Sequence, residues 1–254
     1  MKKTALITGA TSGIGEATAL LLARNDYNVI ITGRRSDRLE KLKNRISGET
    51  DAEVLTLNFD IRKQKEVIAA IKSLNGKWLD IDVLINNAGL AAGYDFINEG
   101  DTDDWERMID TNIKGLLYIT REVSPIMVER KSGHIVNICS IAGREVYEKG
   151  NVYNASKFAV SALSKGMRID LVRHKIKVTN VSPGAVDTEF SSVRFRGDEN
   201  RARAVYKGFT PLYADDIAET ILFVLSRPAH VNIDDILIMA TAQAAAGIIH
   251  REDK

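Results

Sequence analysis

Short runs of aliphatic and β-branched residues alternate along the chain with longer segments whose apolar residues recur every three or four positions. The runs predict strands at 5–8, 28–32, 53–58, 82–86, 134–138, 177–181 and 235–239. The longer segments predict helices at 15–24, 36–46, 64–73, 103–130, 152–173 and 215–225. Ile, Val and Leu are nearly continuous within the strands, as in parallel strands that are covered on both faces. We therefore predict an α/β fold with a doubly wound sheet of about seven parallel strands and helices on both faces.

One segment, between Glu189 and Lys207, interrupts this pattern because it contains few aliphatic residues. Its basic side chains include Arg194, Arg196, Arg201 and Arg203. A lid over a ligand site and a solvated surface segment both fit this composition. No stretch has the composition of an interdomain linker. We therefore expect a single domain over residues 1–254, with a lid near 189–208.

The composition excludes several classes of protein. With 35 Lys and Arg against 34 Asp and Glu, the formal net charge is +1, which gives no general attraction to nucleic acid or anionic membranes. The single cysteine, Cys139, excludes an internal disulfide and is typical of a reducing compartment. The apolar run at 5–7 is too short for a secretion signal, and the run at 236–249 is shorter than the roughly 20 residues that span a bilayer. We expect a cytoplasmic protein that binds neither nucleic acid nor membranes.

The histidines and acidic pairs do not have the spacing of metal ligands, so we expect no metal site. The histidines are scattered at His134, His174, His230 and His250. Acidic pairs at 103–104, 215–216 and 234–235 precede predicted helices or strands, where capping is the favoured interpretation.

A glycine-rich segment lies directly between the first predicted strand and the first predicted helix. Its candidate ligand-binding residues are Gly9, Thr11, Ser12, Gly13, Ile14 and Gly15. Glycine lets the backbone turn sharply and approach a pyrophosphate, whose charge is favoured by the N–H groups and the dipole of the helix start. A tight turn without a ligand is the alternative. The strand–loop–helix context favours dinucleotide binding.

Two arginines, Arg34 and Arg35, follow the second predicted strand, where a dinucleotide-binding sheet contacts the adenosine ribose. An acidic residue at this place suits the 2′-hydroxyl of NAD, whereas guanidinium groups can hold a 2′-phosphate by bidentate hydrogen bonds. The sequence therefore predicts a preference for NADP. The alternative is that the two arginines only pair with Asp37 or Glu40 of the following helix.

Tyr153 and Lys157 lie near the start of a predicted helix and are spaced so that they share one of its faces. An ammonium about 4 Å from a phenol stabilises the phenolate by roughly 4 kcal/mol, which lowers the phenol pKa by about 3 units. We therefore predict that Tyr153 exchanges protons near neutral pH. A surface pair on an amphipathic helix is the alternative. Ser140, just beyond the fifth strand, is either a hydrogen-bond donor to a carbonyl oxygen or a turn residue before Gly143.

Taken together, these residues resemble the short-chain dehydrogenase/reductase family over nearly the whole chain. The matching positions occur in the family's order: the segment 8–15, Asp60, the Asn-Asn-Ala-Gly motif at 86–89, Asn112, Ser140, Tyr153, Lys157 and Pro183-Gly184. The resemblance implies a Rossmann-type fold with Tyr153 as the general acid/base. It also implies that Lys157 lowers the pKa of Tyr153 and holds the nicotinamide ribose. Ser140 would position the substrate oxygen, and Asn112 would maintain a water-linked proton route.

The same resemblance implies contacts to NADP. Arg34 and Arg35 would hold the 2′-phosphate, and Asp60 and Ile61 would contact the adenine. Asn87 would contact the ribose, and residues from Val186 to Thr188 would lie at the nicotinamide. The remaining cofactor positions are Ala88, Gly89, Pro183 and Gly184, together with Tyr153 and Lys157.

Segments at 104–112, 188–197 and 228–233 resemble the NADP-dependent 3-hydroxy acid dehydrogenase branch of this family. That branch oxidises serine, allo-threonine and related 3-hydroxy acids, and some members act more broadly on carbonyl compounds. The resemblance implies hydride transfer between NADP and the carbon that carries the 3-hydroxyl group. A broad NADPH-dependent carbonyl reductase and a non-catalytic NADP(H)-sensing protein are the alternatives. The branch also resembles homotetrameric members of the family, in which the helices corresponding to 103–130 and 152–173 pair between subunits.

A 3-hydroxy acid requires a partner for its carboxylate, usually an arginine or backbone N–H groups. The candidates are Arg144, close in sequence to Ser140, and Arg194, within the expected lid. Together with Ser140 and Tyr153 they make up the predicted substrate site. A surface charge and a phosphate contact are the alternative interpretations of the two arginines.

Overall fold

Seven parallel strands form the central sheet in a computed structural model that describes residues 2–252. They are β1 (Lys3–Ile7), β2 (Tyr27–Gly33), β3 (Val54–Asn58), β4 (Ile81–Asn86), β5 (Gly133–Ile138), β6 (Ile176–Pro183) and β9 (Asp235–Ile238). Their order is β3-β2-β1-β4-β5-β6-β9, and all neighbouring pairs are parallel. The order reverses at β1 and β4, which is where open α/β sheets bind ligands.

Helices cover both faces of this sheet. They are α1 (Gly13–Arg24), α2 (Ser36–Glu49), α3 (Gln64–Lys72), α4 (Thr102–Ile109), α5 (Leu116–Arg130), α6 (Asn151–Leu171), α7 (Phe190–Arg194), α8 (Glu199–Ala204) and α9 (Ala214–Leu225). Leu22, Leu39 and Ile221 pack on one face, and Val67 and Ile119 pack on the other. Both faces of the strands are therefore buried, which explains their nearly continuous apolar sequence. Within residues 2–252, no helix combines the length and hydropathy needed to cross a bilayer.

The predicted Rossmann-type α/β fold is confirmed, and each predicted strand and helix has a counterpart with shifted ends. The sequence pattern missed two small sheets, which pair β7 (Val186–Asp187) with β8 (Leu212–Tyr213) and β10 (Gln243–Ala245) with β11 (Ile248–Ile249). The segment 189–208 contains the short helices α7 and α8. Of the single domain predicted over residues 1–254, residues 1, 253 and 254 lie outside the described residues.

The helix predicted over 103–130 is not uniform, because a π-helical segment, Asp110–Gly115, lies between α4 and α5. A π turn places an extra residue in the helical path and is frequent at functional sites. Here it places Asn112 in a buried position, where its side chain bonds to both backbone polar groups of Leu90. The helix predicted over 152–173 ends earlier, at Leu171, and a 3₁₀ turn follows it.

A row of polar side chains runs across four neighbouring strands, from the central strand β4 to the edge strand β9. Asn86, Asn137, Asn180 and Asp235 are register partners on β4, β5, β6 and β9. Asn86 donates to Asn137 at 2.8 Å, and Ser164 of α6 links Asn137 to Asn180 through its hydroxyl. A slip of one residue in any of these strands would place amide groups against aliphatic side chains, so the row specifies the strand register.

Buried His134 should make the protein less stable in mild acid. Its Nε2 lies 2.8 Å from Thr179 Oγ1, and burial lowers its pKa to about 3. The folded protein therefore keeps this imidazole neutral, whereas the unfolded chain takes up a proton below about pH 6.5. Lowering the pH from 6.5 to 5 should cost about 2 kcal/mol of unfolding free energy through this residue alone.

Urea unfolding at both pH values, for the wild type and for His134→Gln, measures this contribution. Gln keeps a partner for Thr179 but does not titrate. The variant should lose less stability on acidification than the wild type. An identical loss in both proteins would show that His134 does not contribute to it.

Candidate active site

A cleft of about 340 Å³ lies at the carboxyl ends of the central strands. All of the predicted cofactor residues except Gly15 line it. These lining residues are Gly9, Thr11, Ser12, Gly13, Ile14, Arg34, Arg35, Asp60, Ile61, Asn87, Ala88, Gly89, Tyr153, Lys157, Pro183, Gly184, Val186 and Thr188. Other lining residues were not predicted from the sequence, among them Phe59, Leu90, Glu189 and Phe190. The two last begin the segment that the sequence marked as a lid.

The glycine-rich segment leaves room for a ligand beside the start of α1. Gly9 has a φ of +65°, and a Cβ there would lie 2.9 Å from Ala88 Cα. A Cβ on Gly15 would lie 2.5 Å from both Asn87 Nδ2 and Gly9 O, so Gly15 supports the loop from behind instead of lining the cleft. Because Gly13 and Ile14 line the cleft at the helix N-terminus, the arrangement fits a pyrophosphate.

Hydrogen bonds hold the two loops at the switch point together. Asn87 Nδ2 donates to Thr8 O at 2.9 Å and to Gly9 O at 3.2 Å. In return, Thr8 Oγ1 accepts from the backbone N–H groups of Asn87 and Ala88. Asn87 therefore has its amide donors directed at the glycine segment, and the residue lines the cleft, where the ribose is expected.

Arg35 bridges the glycine segment and the lid. Its Nη2 donates to Thr11 Oγ1 at 2.8 Å and to Ser12 Oγ at 2.9 Å, and its Nη1 donates to Glu189 at 3.1 Å. The partner of Arg35 is thus Glu189 and not Asp37 or Glu40, which were the alternative partners on the following helix. Arg38, one helical turn further along α2, also binds Glu189 and was missed because its partner is distant in sequence.

Ser140, Tyr153 and Lys157 all line the cleft and are at most 9% exposed. Ser140 Oγ accepts from Ala142 N at 3.1 Å and lies 3.4 Å from Pro183 O, so it has a turn role as well as a place in the site. Lys157 Nζ donates to Ile138 O at 3.1 Å. The Tyr153 ring packs edge-on against Phe190 of the lid, with the ring centroids 5.6 Å apart.

The pKa of Tyr153 differs from the sequence-based prediction. Burial raises it above its ordinary value, whereas the Ser140 side chain and the charge of Arg194 act to lower it. Burial also lowers the pKa of Lys157, whose ammonium lies 5.9 Å from the Tyr153 ring centroid and is bonded to Ile138 O. The helical spacing correctly predicted that Tyr153 and Lys157 lie near each other. It took no account of desolvation, which is the largest influence on both pKa values in this buried position.

Asn112 lies behind the cleft and is 2% exposed. Its amide oxygen accepts from Leu90 N at 2.9 Å, and its Nδ2 donates to Leu90 O at 2.8 Å and to Ser156 Oγ at 3.0 Å. A Cβ on Gly89 would lie 3.3 Å from the Asn112 amide oxygen and 3.4 Å from Lys157 Nζ, so both side chains approach Gly89. The structure therefore places Asn112 near the lysine end of the site, although Asn112 does not itself line the cleft.

Arg194 lies beside the cleft, in a small pocket that it shares with Tyr153, and three tyrosine rings surround it. Its guanidinium carbon is 4.7 Å from the ring centroid of Tyr94, 5.5 Å from that of Tyr147 and 5.7 Å from that of Tyr153. Its Nη1 donates to the Tyr147 hydroxyl at 3.0 Å. Its Nη2 is buried and has no hydrogen-bond partner among residues 2–252. A buried, unpaired guanidinium N–H beside Tyr153 is suited to an anionic ligand.

Neither candidate for a substrate carboxylate lines the 340 Å³ cleft, but Arg194 lines a small adjoining pocket together with Tyr153, whereas Arg144 lines neither. Arg144 follows the 3₁₀ turn Ile141–Gly143, and its side chain forms an ion pair with Asp235 of the edge strand β9. The prediction for Arg144 rested on closeness in sequence to Ser140, which does not determine the direction of a side chain. Of the two predicted arginines, the structure brings only Arg194 to Tyr153.

Ion pairs from the exposed side chain of Arg196 join the lid to α4. Asp104 is 3% exposed and accepts from Arg196 Nη2 at 2.6 Å, and Arg196 also binds Asp101 at 2.7 Å. In addition, the backbone N–H of Gly93 donates to Arg194 O at 3.1 Å. The capping role predicted for Asp104 is therefore wrong, since Asp101 caps α4 and Asp104 binds the lid. Two acidic residues that are adjacent in the sequence do not indicate which distant residue either of them will bind.

The side chains of the site are suited to proton transfer and to dinucleotide binding. Within residues 2–252, no three His, Cys, Asp or Glu side chains cluster in a way that could hold a metal ion. The cleft instead combines a glycine loop, arginines at one end and buried hydroxyl and ammonium groups at the other.

Comparison with known proteins gives extensive matches. Residues 3–199 match the family model described as short chain dehydrogenase. An NADP-dependent 3-hydroxy acid dehydrogenase of Salmonella typhi is 47% identical over 97% of this chain and 98% of its own length. Its namesake in Escherichia coli strain K12 is 42% identical, over 97% of this chain and 99% of its own.

Two solved structures are also similar. The closed form of serine dehydrogenase complexed with NADP⁺ superposes with a TM-score of 0.92 at 42% identity, covering 98% of this chain and 100% of that chain. Serine dehydrogenase from Escherichia coli gives a TM-score of 0.83 at 38% identity, covering 95% of this chain and 99% of that one. The similarity therefore extends beyond the cleft to nearly all of the chain.

Proposed function

The chain belongs to the short-chain dehydrogenase family, and from that premise we propose that it oxidises the 3-hydroxyl group of small 3-hydroxy acids, such as serine or allo-threonine, with NADP. It is an NADP-dependent oxidoreductase that acts on CH–OH groups. The observation that most directly supports the acid as substrate is Arg194, whose buried Nη2 lacks a partner among residues 2–252 beside Tyr153.

The residues of the cleft fit NADP. Gly9, Gly13 and Ile14 leave space at the start of α1 for the pyrophosphate, and Arg34 and Arg35 lie at the end of β2 for the 2′-phosphate. Asp60 and Ile61 would contact the adenine, Asn87 the ribose and residues 186–188 the nicotinamide. When bound, NADP would accept a hydride from the carbon that carries the substrate hydroxyl.

Tyr153 is proposed to take the proton from the substrate hydroxyl, and to return it in the reverse direction. Ser140 would hold the substrate oxygen by a hydrogen bond and keep it near the phenol. Lys157, buried and bonded to Ile138 O, would hold the nicotinamide ribose and stabilise the phenolate. Asn112, whose oxygen lies near Gly89 and the Lys157 ammonium, would help to maintain the proton route at Lys157.

Recognition of the acid is assigned to Arg194. A carboxylate that accepted a hydrogen bond from Nη2 would satisfy a buried donor, which gives an acid an advantage over an uncharged analogue. Phe190 and Tyr147 would form the surrounding walls, since both pack against Tyr153 or Arg194. The lid at 189–208 thus supplies the arginine and one aromatic wall of the proposed site.

We also propose a cytoplasmic homotetramer built from single-domain chains. Large apolar side chains are exposed on α5, α6 and the turn after α6, namely Leu117, Phe158, Ile169 and Val172. Pairing of these helices between subunits would cover them. Light scattering that gives the mass of a monomer at micromolar concentration would contradict this assembly.

Initial rates with a panel of substrates test the proposed function. L-serine and L-allo-threonine are supplied with NADP, and neutral ketones and aldehydes are supplied with NADPH, with nicotinamide absorbance as the readout. Oxidation of the hydroxy acids is the expected result. Rapid reduction of neutral carbonyl compounds without oxidation of any hydroxy acid would instead identify a broad carbonyl reductase. Tight binding of NADPH without turnover on any of them would identify a sensing protein.

A further inference from the structure

We propose that Glu189 controls the cofactor selectivity of this protein by competing with the 2′-phosphate of NADP for Arg35 and Arg38. The inference rests on the proposed use of NADP and adds a residue that works against it. Glu189 begins the lid and lines the cofactor cleft. Arg38 Nη1 donates to both of its carboxylate oxygens, at 2.7 and 2.9 Å, and Arg35 Nη1 donates to Oε2 at 3.1 Å.

Part of the donor set of the two guanidinium groups is already engaged. Arg35 already uses Nε and Nη2 on the Thr11 hydroxyl, and Nη2 on the Ser12 hydroxyl, so Nη1 is the donor directed at Glu189. Arg38 uses Nη1 on Glu189 and reaches Thr11 O only at 3.5 Å. A phosphate that bound Nη1 of either arginine would have to share that donor with the carboxylate or displace it. A phosphate on the other donors of these guanidinium groups would still lie close to the charge of Glu189.

Glu189 is a charged competitor for these donors. Burial alone would raise its pKa, but the hydrogen bonds from Arg38 and Arg35 lower that pKa below its ordinary value. The carboxylate is thus ionised at neutral pH and repels a second anion on the same donors. NAD has a 2′-hydroxyl at this position and leaves the Glu189 pairs in place. Displacement of Glu189 therefore weakens the binding of NADP but not that of NAD.

The pairs are partly exposed, with between 38% and 47% of each side chain accessible, so the expected effect is moderate. Removing the charge in Glu189→Gln should tighten binding to a 2′-phosphate by about twofold to fivefold, the upper part of the range expected for exposed ion pairs. Binding of the same ligand without the 2′-phosphate should change by less than about twofold.

Isothermal titration of the full-length protein with adenosine 2′,5′-bisphosphate and with adenosine 5′-monophosphate measures both affinities, since these probes differ only in the 2′-phosphate. Glu199→Gln, further along the same lid, removes an equal charge and serves as the control. Tighter binding of the bisphosphate only in Glu189→Gln is expected. An unchanged affinity, equal tightening of both probes, or a response shared with Glu199→Gln would overturn the proposal. So would weaker binding of the bisphosphate, because Glu189 would then orient the arginines for the phosphate.

A double-mutant cycle with Arg38→Gln tests the route of the effect. If Glu189 competes through Arg38, the gain from Glu189→Gln should shrink in the Arg38→Gln background. A gain of the same size in both backgrounds would contradict a contribution from Arg38. Because neither probe contains nicotinamide or substrate, these titrations succeed or fail independently of turnover. A chain that shows the expected selectivity but oxidises no hydroxy acid would refute the proposed function alone.

Discussion

Tyr153→Phe is expected to reduce kcat for oxidation of a 3-hydroxy acid by about 10³-fold, within the usual contribution of a general acid/base. The phenol is the group proposed to take the substrate proton, and Phe cannot replace it. Phe keeps the ring that packs edge-on against Phe190, so the lid contact and the cleft should persist. Fluorescence titration with NADPH should therefore give an affinity close to that of the wild type.

Tyr118→Phe is the matched control, because it makes the same chemical change on α5, among the apolar residues of the sheet face. It should retain wild-type turnover. Near-full turnover in Tyr153→Phe would contradict the assignment of the proton-transfer role. Loss of both turnover and NADPH binding would show that the substitution disturbs the cleft. In that case, the pH dependence of kcat in Ser140→Ala, which keeps the phenol, would be needed to identify the titrating group.

Arg194→Met should raise KM for a 3-hydroxy acid by about tenfold to a hundredfold, because a hydrogen bond to a charged group contributes about 1.5–3 kcal/mol. Nη2 is a buried donor without a partner in the described part of the chain, and Met fills much of the same volume without charge. Some loss of kcat is also expected, since the charge of Arg194 acts to lower the pKa of Tyr153. Steady-state kinetics with saturating NADP separate these two effects.

Arg144→Met serves as the control for Arg194→Met. Arg144 has the same charge but is paired with Asp235 and lines neither the cleft nor the small pocket that holds Arg194, so its replacement should leave KM for the acid within about twofold. For an uncharged hydroxy amide, Arg194→Met should change KM only slightly. Arg194 does not bind the carboxylate if Arg144→Met raises KM for the acid as much as Arg194→Met does. The same conclusion follows if Arg194→Met raises KM equally for the amide and the acid.

The residues of the cleft that follow strand ends could be placed from the sequence. Parallel strands bring their carboxyl ends to one edge of the sheet, so a glycine loop after β1, arginines after β2, Asn87 after β4 and Ser140 after β5 had to lie near one another. The fold itself followed from the same alternation of apolar strands and amphipathic helices.

Features that depend on distant partners could not be placed in this way. The pairs between Arg38 and Glu189, and between Arg196 and Asp104, join the lid to residues far away in the chain. The π turn that positions Asn112 has an apolar pattern close to that of an ordinary helix. The pKa of Tyr153 depends on burial, which helical spacing alone does not give.

The specificity constants for 3-hydroxypropanoate and 3-hydroxypropanamide, measured with NADP, test most directly whether the site oxidises hydroxy acids through recognition of their carboxylate. The two compounds have the same hydroxyl group and nearly the same shape, but only the first carries a charge. The account predicts that kcat/KM is at least about tenfold higher for the acid, the advantage of one charged hydrogen bond. Equal or faster oxidation of the amide would contradict it.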